Sequence, residues 1–224
     1  MMRRMFPDTP VCSPGLSRDL VGVIRQMILA GAIAPGERLV LRDLQERFNV
    51  SVIPLREALR TLEAEGWVET LPRRGTRVSP VSLAELRDVY ALRRLIEPPL
   101  SRQAATKRYR AASDRVTRAF EELEKAAESD AATWLDAHRE FHWSLLDVDL
   151  GAVSARTVRQ LWSVSDRYVL LTAAAFRTDQ PSRDHRSLHD AFIAGDGERL
   201  AAEWSLHLHV VEEEIVRNTQ DRLT

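Results

Sequence analysis

From Pro35 to Ser79 the chain reads PGERLVLRDLQERFNVSVIPLREALRTLEAEGWVETLPRRGTRVS, and no other stretch constrains the fold as tightly. Leu41, Leu44 and Phe48 recur at helical spacing, Asn49-Val50-Ser51 break the pattern, and Leu55, Leu59 and Leu62 resume it. So short a break joins two helices at a steep angle. Ser51 is a good N-cap for the second helix, and Pro54 is tolerated there because it falls in the first turn, where no intrahelical N–H bond is lost. Gly66 provides a left-handed stop. Trp67-Val68-Glu69 and Arg77-Val78 then read as two strands around Pro72-Arg73-Arg74-Gly75-Thr76, with Gly75 permitting the turn. Two helices followed by a glycine-tipped hairpin form the pattern of a winged helix-turn-helix.

Helix pairs with a leucine core also occur in domains that bind no nucleic acid; the hairpin with its two arginines turns the reading towards DNA. In such a unit the second helix enters the major groove N-terminus first. Ser51, Val52, Ile53, Pro54, Arg56, Glu57 and Arg60 then lie closest to bases and phosphates, while Arg73 and Arg74 reach a neighbouring phosphate or the minor groove. Charge agrees with this placement. The whole chain carries a net charge of −1, yet its first 80 residues hold 12 arginines and 9 acidic residues, against 20 basic and 24 acidic residues in the remainder. Only the N-terminal part suits a polyanion, and a homodimer would double its small positive excess.

The 224 residues, 44% hydrophobic and 29% charged, describe a folded chain with room for two modest domains and a boundary at Ser79-Pro80. No apolar run approaches membrane-spanning length, so no membrane association is expected. The start, MMRRMFPDTPVCSPG, has two arginines but no apolar core behind them, and residues 1–15 read as a flexible arm rather than a secretory signal. A single cysteine, Cys12, excludes an internal disulfide framework and fits a reducing, cytoplasmic compartment.

Beyond the hairpin the chain reads as helical almost throughout. Ser82 and Glu85 form a capping box, and Leu86, Val89, Leu92, Leu95 and Ile96 make one apolar face, which Pro98-Pro99 should kink or interrupt. Further helices are expected over 113–129, 131–147, 153–175, 182–194 and 197–218. The predicted fold is mostly α, a winged helix-turn-helix followed by an antiparallel helical bundle whose core could hold a ligand. All six histidines fall in this helical part, in three local groups. His138 and His142 stand at i, i+4, as do His185 and His189, whereas His207 and His209 are roughly 200° apart around a helix, so only one of them faces inward. Imidazoles converging from three helices suggest a metal site, although any one of them alone reads as an ordinary core or surface histidine.

The segments PGERL, RDLQERFNVS, PLREALRTLEAEGWV and RRGTRV resemble, in order and spacing, the DNA-binding domain of the GntR-type bacterial transcription regulators. The resemblance implies operator contacts by Arg42 and Arg56. A third family arginine commonly follows the serine of the turn; Val52 stands there instead, which implies a different operator preference, with Val52 or Ile53 offering apolar contact to a thymine methyl. The segments AHREFHWSLL, DHRSLHDAFIAGD and LHLH resemble the effector domain of the FadR-like subgroup, the FCD domain. In metal-binding members an aspartate and three histidines hold a divalent cation beside a small carboxylate effector. The histidines map to His142, His185 and His207, and the aspartate position is His138; Asp136 and Glu140 are poor substitutes. An all-nitrogen set leaves one more positive charge for an anionic ligand and favours Zn, Ni or Cu over Mn or Mg, with Zn or Ni preferred.

Arg93 and Glu97 match the subgroup's recurrent arginine and glutamate. Arg93 then serves as an effector contact or pairs internally with Glu97, His189 is an effector contact or a support for the ligands, and His209 faces outward. Trp134, Trp143, Trp162 and Trp204 read as core, and Glu212-Glu213-Glu214 as a solvated face. No nucleophile elbow, phosphate loop or dinucleotide fingerprint is present, and no enzyme is expected. The expected organisation is the arm 1–15, a winged helix-turn-helix over 16–79, and an effector-binding and dimerisation domain over 82–220. It describes a homodimeric repressor that binds palindromic operator half-sites and responds to a small carboxylate, with the helix over 82–105 as the coupling route. Two rivals stand beside it. One is a metal-dependent, enzyme-like domain tethered to DNA, for which no carboxylate falls on the histidine faces at helical spacing; the other is a metal-free sensor of a hydrophobic effector.

Overall fold

The computed structural model describes residues 16–29, 31–80, 82–129, 131–171 and 180–223, so the arm over 1–15, with Cys12, lies outside the described residues. The chain divides into two compact units, Met1–Val81 and Ser82–Thr224.

The first unit contains α1 (Leu16–Leu29), β1 (Arg38–Leu39), α2 (Leu41–Phe48), α3 (Val52–Ala64), β2 (Val68–Leu71) and β3 (Gly75–Val78). α1 buries Leu20, Ile24, Met27 and Ile28 and packs on α3, which turns Leu55, Ala58, Leu59 and Leu62 inward. Neither α1 nor β1 follows from the motif, because both lie outside its periodic core. β1 is two residues long and exists by pairing with β3, Arg38 opposite Arg77 and Leu39 opposite Thr76, in a sheet of order β1-β3-β2.

Between α2 and α3 the chain reverses through Asn49, left-handed at φ 51° and ψ 48°, a conformation that asparagine tolerates better than most residues. Ser51 occupies the N-cap of α3 as expected, but its hydroxyl makes no capping hydrogen bond. At the other end Gly66 adopts φ 77°, Gly66 N donates to the Glu63 carbonyl at 3.0 Å and Trp67 N to the Leu62 carbonyl at 2.8 Å. This is a complete Schellman stop, so α3 ends where its glycine requires. The hairpin pairs Val68 with Val78 and Leu71 with Gly75, leaving Pro72, Arg73 and Arg74 as the tip. Both Gly75 and Arg73 have positive φ, 78° and 61°. The Arg74 N–H on the Leu71 carbonyl (3.0 Å) and the Arg38 guanidinium on the Arg74 carbonyl hold the arginine in that conformation.

The second unit contains α4 (Leu83–Thr106), α5 (Arg110–Lys125) with a 3-10 turn (Ala126–Glu128), α6 (Ala131–Leu146), α7 (Ala152–Leu171), α8 (Gln180–Ala194) and α9 (Gly197–Leu223). Helix starts and stops differ from expectation by a few residues, the usual reach of local signals, and the expected helical stretch 172–175 lies outside the described residues. Pro98-Pro99 do not interrupt α4, which runs through both. Its buried side, including Leu86, Tyr90, Glu97, Pro98 and Ala105, packs against α9 and α7, and that burial outweighs the two missing N–H bonds. Only half of the capping box forms. Ser82 Oγ accepts from Glu85 N (3.2 Å), but the Glu85 carboxylate turns to Arg167 and Tyr168, and Ser82 N donates to the Tyr168 hydroxyl at 3.3 Å.

The corner between α8 and α9 fixes the two helices that carry His185 and His207. Gly195 has φ 72°, and the Asp196 carboxylate caps α9 by accepting from Arg199 N at 3.0 Å. The Arg108 guanidinium closes the end of α8 through the Ile193 and Ala194 carbonyls (3.2 and 3.1 Å), so near Gly195 that an added Cβ would lie 1.7 Å from it. The acidic run near the C-terminus is not a uniformly solvated face: Glu212 meets Arg94 and Glu214 pairs with Arg217, leaving Glu213 exposed. Among the described residues no helix is long and apolar enough to cross a membrane.

Candidate functional site

In the winged unit the sequence-selected side chains are on the surface. Ser51, Ile53, Arg56 and Arg60 on α3 are exposed, Val52 and Pro54 half-buried, and Ile53 is 71% exposed despite its apolar side chain. Arg42 pairs with Glu46 at 3.1 Å and Arg60 with Glu57 at 3.0 Å, both in the open. Arg73, Arg74 and Gly75 form the exposed hairpin tip. Behind it the strands are tied by the Arg77–Glu69 pair (2.6 Å).

In the bundle the geometry reverses. α6 contributes His138 and His142, α8 His185 and α9 His207, and one ring nitrogen from each lies within 4.8 Å of the other three. His142, His185 and His207 are buried and His138 half-buried. Ring centroids are 4.2 Å apart for His138–His142 and 4.9 Å for both His142–His207 and His185–His207. Burial, reinforced by the neighbouring imidazoles, pushes His138, His142 and His207 well below the ordinary histidine pKa, so the rings are neutral donors at neutral pH. Nε2 of His142 and Nδ1 of His207 are buried without a hydrogen-bond partner. Buried polar atoms left unpaired in this way are uncommon, and neutral imidazole nitrogens aimed at one point are what a divalent transition metal requires. The four residues fit a metal ion.

His189 does not join the quartet. Although it follows His185 by one turn, it stacks on Phe120 of α5 (4.8 Å), with Nε2 at 3.3 Å from Thr117 Oγ1. His209 is exposed and His207 buried, the split required by two positions on one helix.

Beside the quartet a small cavity of about 20 Å³ is lined by Tyr90, Arg93, Arg139, Asp166 and three of the histidines, with apolar side chains around them. Arg93 is engaged internally: Nε and Nη2 donate to Glu97 at 2.7 and 3.2 Å, and Nη1 donates to Ser165 at 3.0 Å. Burial opposes the charge of Arg93, but Glu97 carries its pKa above the ordinary value. Trp162 and Trp204 are core residues with a polar task, each donating its indole N–H to Glu97 at 2.9 Å. Trp134 stacks on His138 at 4.8 Å.

Sequence reasoning missed Asp166 and Tyr90. Asp166, on α7, is buried and paired with Arg139 at 2.5 Å; burial raises its pKa while Arg139 opposes the rise. On α9 Glu203 stands four residues before His207, a carboxylate the helical reading overlooked, and Asp166 reaches the same cavity from another helix. Tyr90 is fully buried, its hydroxyl has no partner, and burial raises its pKa. Its spacing to Arg93 and Glu97 along one helical face was a readable signal, as was the single acidic residue of α7.

Residues 16–78 match the gntR family of bacterial regulatory proteins, and residues 88–210 match the FCD domain. An uncharacterized HTH-type transcriptional regulator, BphR of Paraburkholderia xenovorans, is 32% identical over 196 residues, covering 83% of this chain and 79% of its own. The HTH-type transcriptional repressor RspR of Escherichia coli is 24% identical over 220 residues, covering 97% and 94%. The solved structure of E. coli McbR/YncC superposes with a TM-score of 0.72 at 18% identity, covering 93% of this chain and 100% of that one, a likeness of fold. The chain belongs to the gntR family of bacterial regulatory proteins, a DNA-binding transcription regulator rather than an enzyme, with an FCD domain after its winged helix-turn-helix.

Proposed function

We propose that the protein is a homodimeric repressor of the FadR-like subgroup whose hold on a palindromic operator is set by a small carboxylate bound beside a divalent transition metal. In this reading residues 16–79 bind DNA, and residues 82–220 bind the effector and pair the subunits. The observation that carries it is the convergence of four imidazoles from three helices, His138, His142, His185 and His207, within 4.8 Å. Four nitrogen donors favour Zn or Ni. The name of the RspR relative supports repression.

On the DNA side, Arg42, Arg56 and Arg60 supply cations, and Ser51, Val52, Ile53 and Pro54 form the groove-facing end of α3. Arg73, Arg74 and Gly75 form the wing contact. The high exposure of Ile53 supports an apolar base contact. On the effector side Arg93 lines the cavity and His189, directed at α5, is no part of it. α4 carries Arg93 and begins where the winged unit ends in sequence, which makes it the proposed coupling route.

Elemental analysis of the purified full-length protein tests the metal. We expect stoichiometric Zn or Ni in the wild type and its loss in both His142→Ala and His185→Ala. Metal retained undiminished by both variants overturns the site.

A further inference from the structure

Resting on the reading that a divalent ion occupies the quartet, we infer that the acid taken up with it is a small dianion, a short dicarboxylate, rather than a monocarboxylate. Imidazoles ligate as neutral groups, so the quartet offers the ion no negative charge. Two cations line the cavity beside it, Arg93 and Arg139, and each already has an internal partner, Glu97 at 2.7 Å and Asp166 at 2.5 Å. Among the described residues these four charges cancel. A divalent ion therefore adds two positive charges with no buried carboxylate left to offset them, and uncompensated buried charge is costly. A carboxylate at position 138 would remove one unit of that excess; His138 removes none.

The cavity also holds unused donors suited to an anion. The Tyr90 hydroxyl is fully buried without a partner, and Arg93 commits three of its five N–H groups to Glu97 and Ser165. Free space of about 20 Å³ is room for one water-sized group, so uptake requires the lining side chains to part and favours a short skeleton.

Calorimetry on the full-length, Zn-loaded protein tests the charge rule, with malonate titrated against monomethyl malonate, which keeps the skeleton and loses one charge. Malonate should bind tighter by on the order of tenfold or more, the direction expected for one additional charge beside a partly desolvated cation. The gap should narrow in His138→Asp, which supplies one of the missing charges, while chelation by the two carboxyl groups is unchanged. The wild-type comparison stands by itself if that variant fails to fold. Equal affinities on the loaded wild type overturn the dianion and leave the metal reading intact. Failure of the wild type to load Zn overturns both.

Discussion

The winged unit and the bundle each contain an arginine–glutamate pair at i, i+4, and the two pairs behave as opposites. Arg42 and Glu46 on α2 leave their side chains 84% and 68% exposed, so their 3.1 Å contact is worth a few tenths of a kcal/mol at most, about the level of other exposed helix pairs. Arg93 and Glu97 on α4 are 8% and 0% exposed, and two indole N–H groups share the same carboxylate. Identical spacing gives a surface cation free to exchange its partner for a phosphate in one unit, and a fixed part of the core in the other. Burial decides which.

The largest effect should therefore come from Glu97→Gln. It leaves the Arg93 charge buried without its counter-charge and presents an amide N–H₂ to the donors of Arg93, Trp162 or Trp204. A loss of about 3–5 kcal/mol is expected for breaking one side of a buried pair, measured by urea unfolding of the bundle followed through its tryptophans. A loss below about 1 kcal/mol would place this pair with the exposed ones and break the contrast.

The next effect separates the two units by pH. Burial holds His138, His142 and His207 below the ordinary value of 6.5, so below that pH the unfolded chain binds more protons than the native one. Stability from this source is complete above 6.5 and is lost as pH falls through it, by up to about 1.4 kcal/mol per pH unit for each histidine. Thermal melts in chelator between about pH 7.5 and 5.5 should show the bundle weakening towards acid. The winged unit has no histidine, and its melting should lack this component. A bundle insensitive to that range would mean the rings protonate as freely folded as unfolded.

The same contrast explains what could be read from sequence. Leucine periodicity, Gly66 and Gly75 are local signals, and the helix-turn-helix and hairpin follow from them; the histidine groups at i, i+4 were legible for the same reason. α1 lies outside the motif, and β1 exists only because β3 lies beside it. Glu97 looks like half of a surface pair because spacing carries no information on burial, and its indole partners come from 65 and 107 residues away. Asp166 reaches the cavity from α7, a placement no helical periodicity on α6, α8 or α9 encodes. His189 stands at i, i+4 to His185, yet the two rings meet different helices, His189 on Phe120 of α5 and His185 on His142 of α6, which spacing alone does not encode.

The smallest expected effect on stability belongs to Arg56→Ala, and it is the most discriminating for function. Arg56 is exposed and makes no ion pair among the described residues, so its removal should move the unfolding free energy by less than about 0.5 kcal/mol. If α3 lies in the major groove, the same change should cost about 1–3 kcal/mol of operator binding when Arg56 reads a base. If Arg56 meets a phosphate instead, the loss is uniform across sequences and the salt dependence falls by about one counterion. Fluorescence anisotropy with a palindromic fragment from the protein's own promoter, at two salt concentrations and with one scrambled sequence, distinguishes these outcomes. Unchanged affinity at physiological salt removes Arg56 from the interface. Arg42→Ala in the same assay measures what an arginine already paired with Glu46 contributes. A comparable loss there would mean that the exposed pair yields to DNA, as its high exposure permits and as the buried Arg93–Glu97 pair could not.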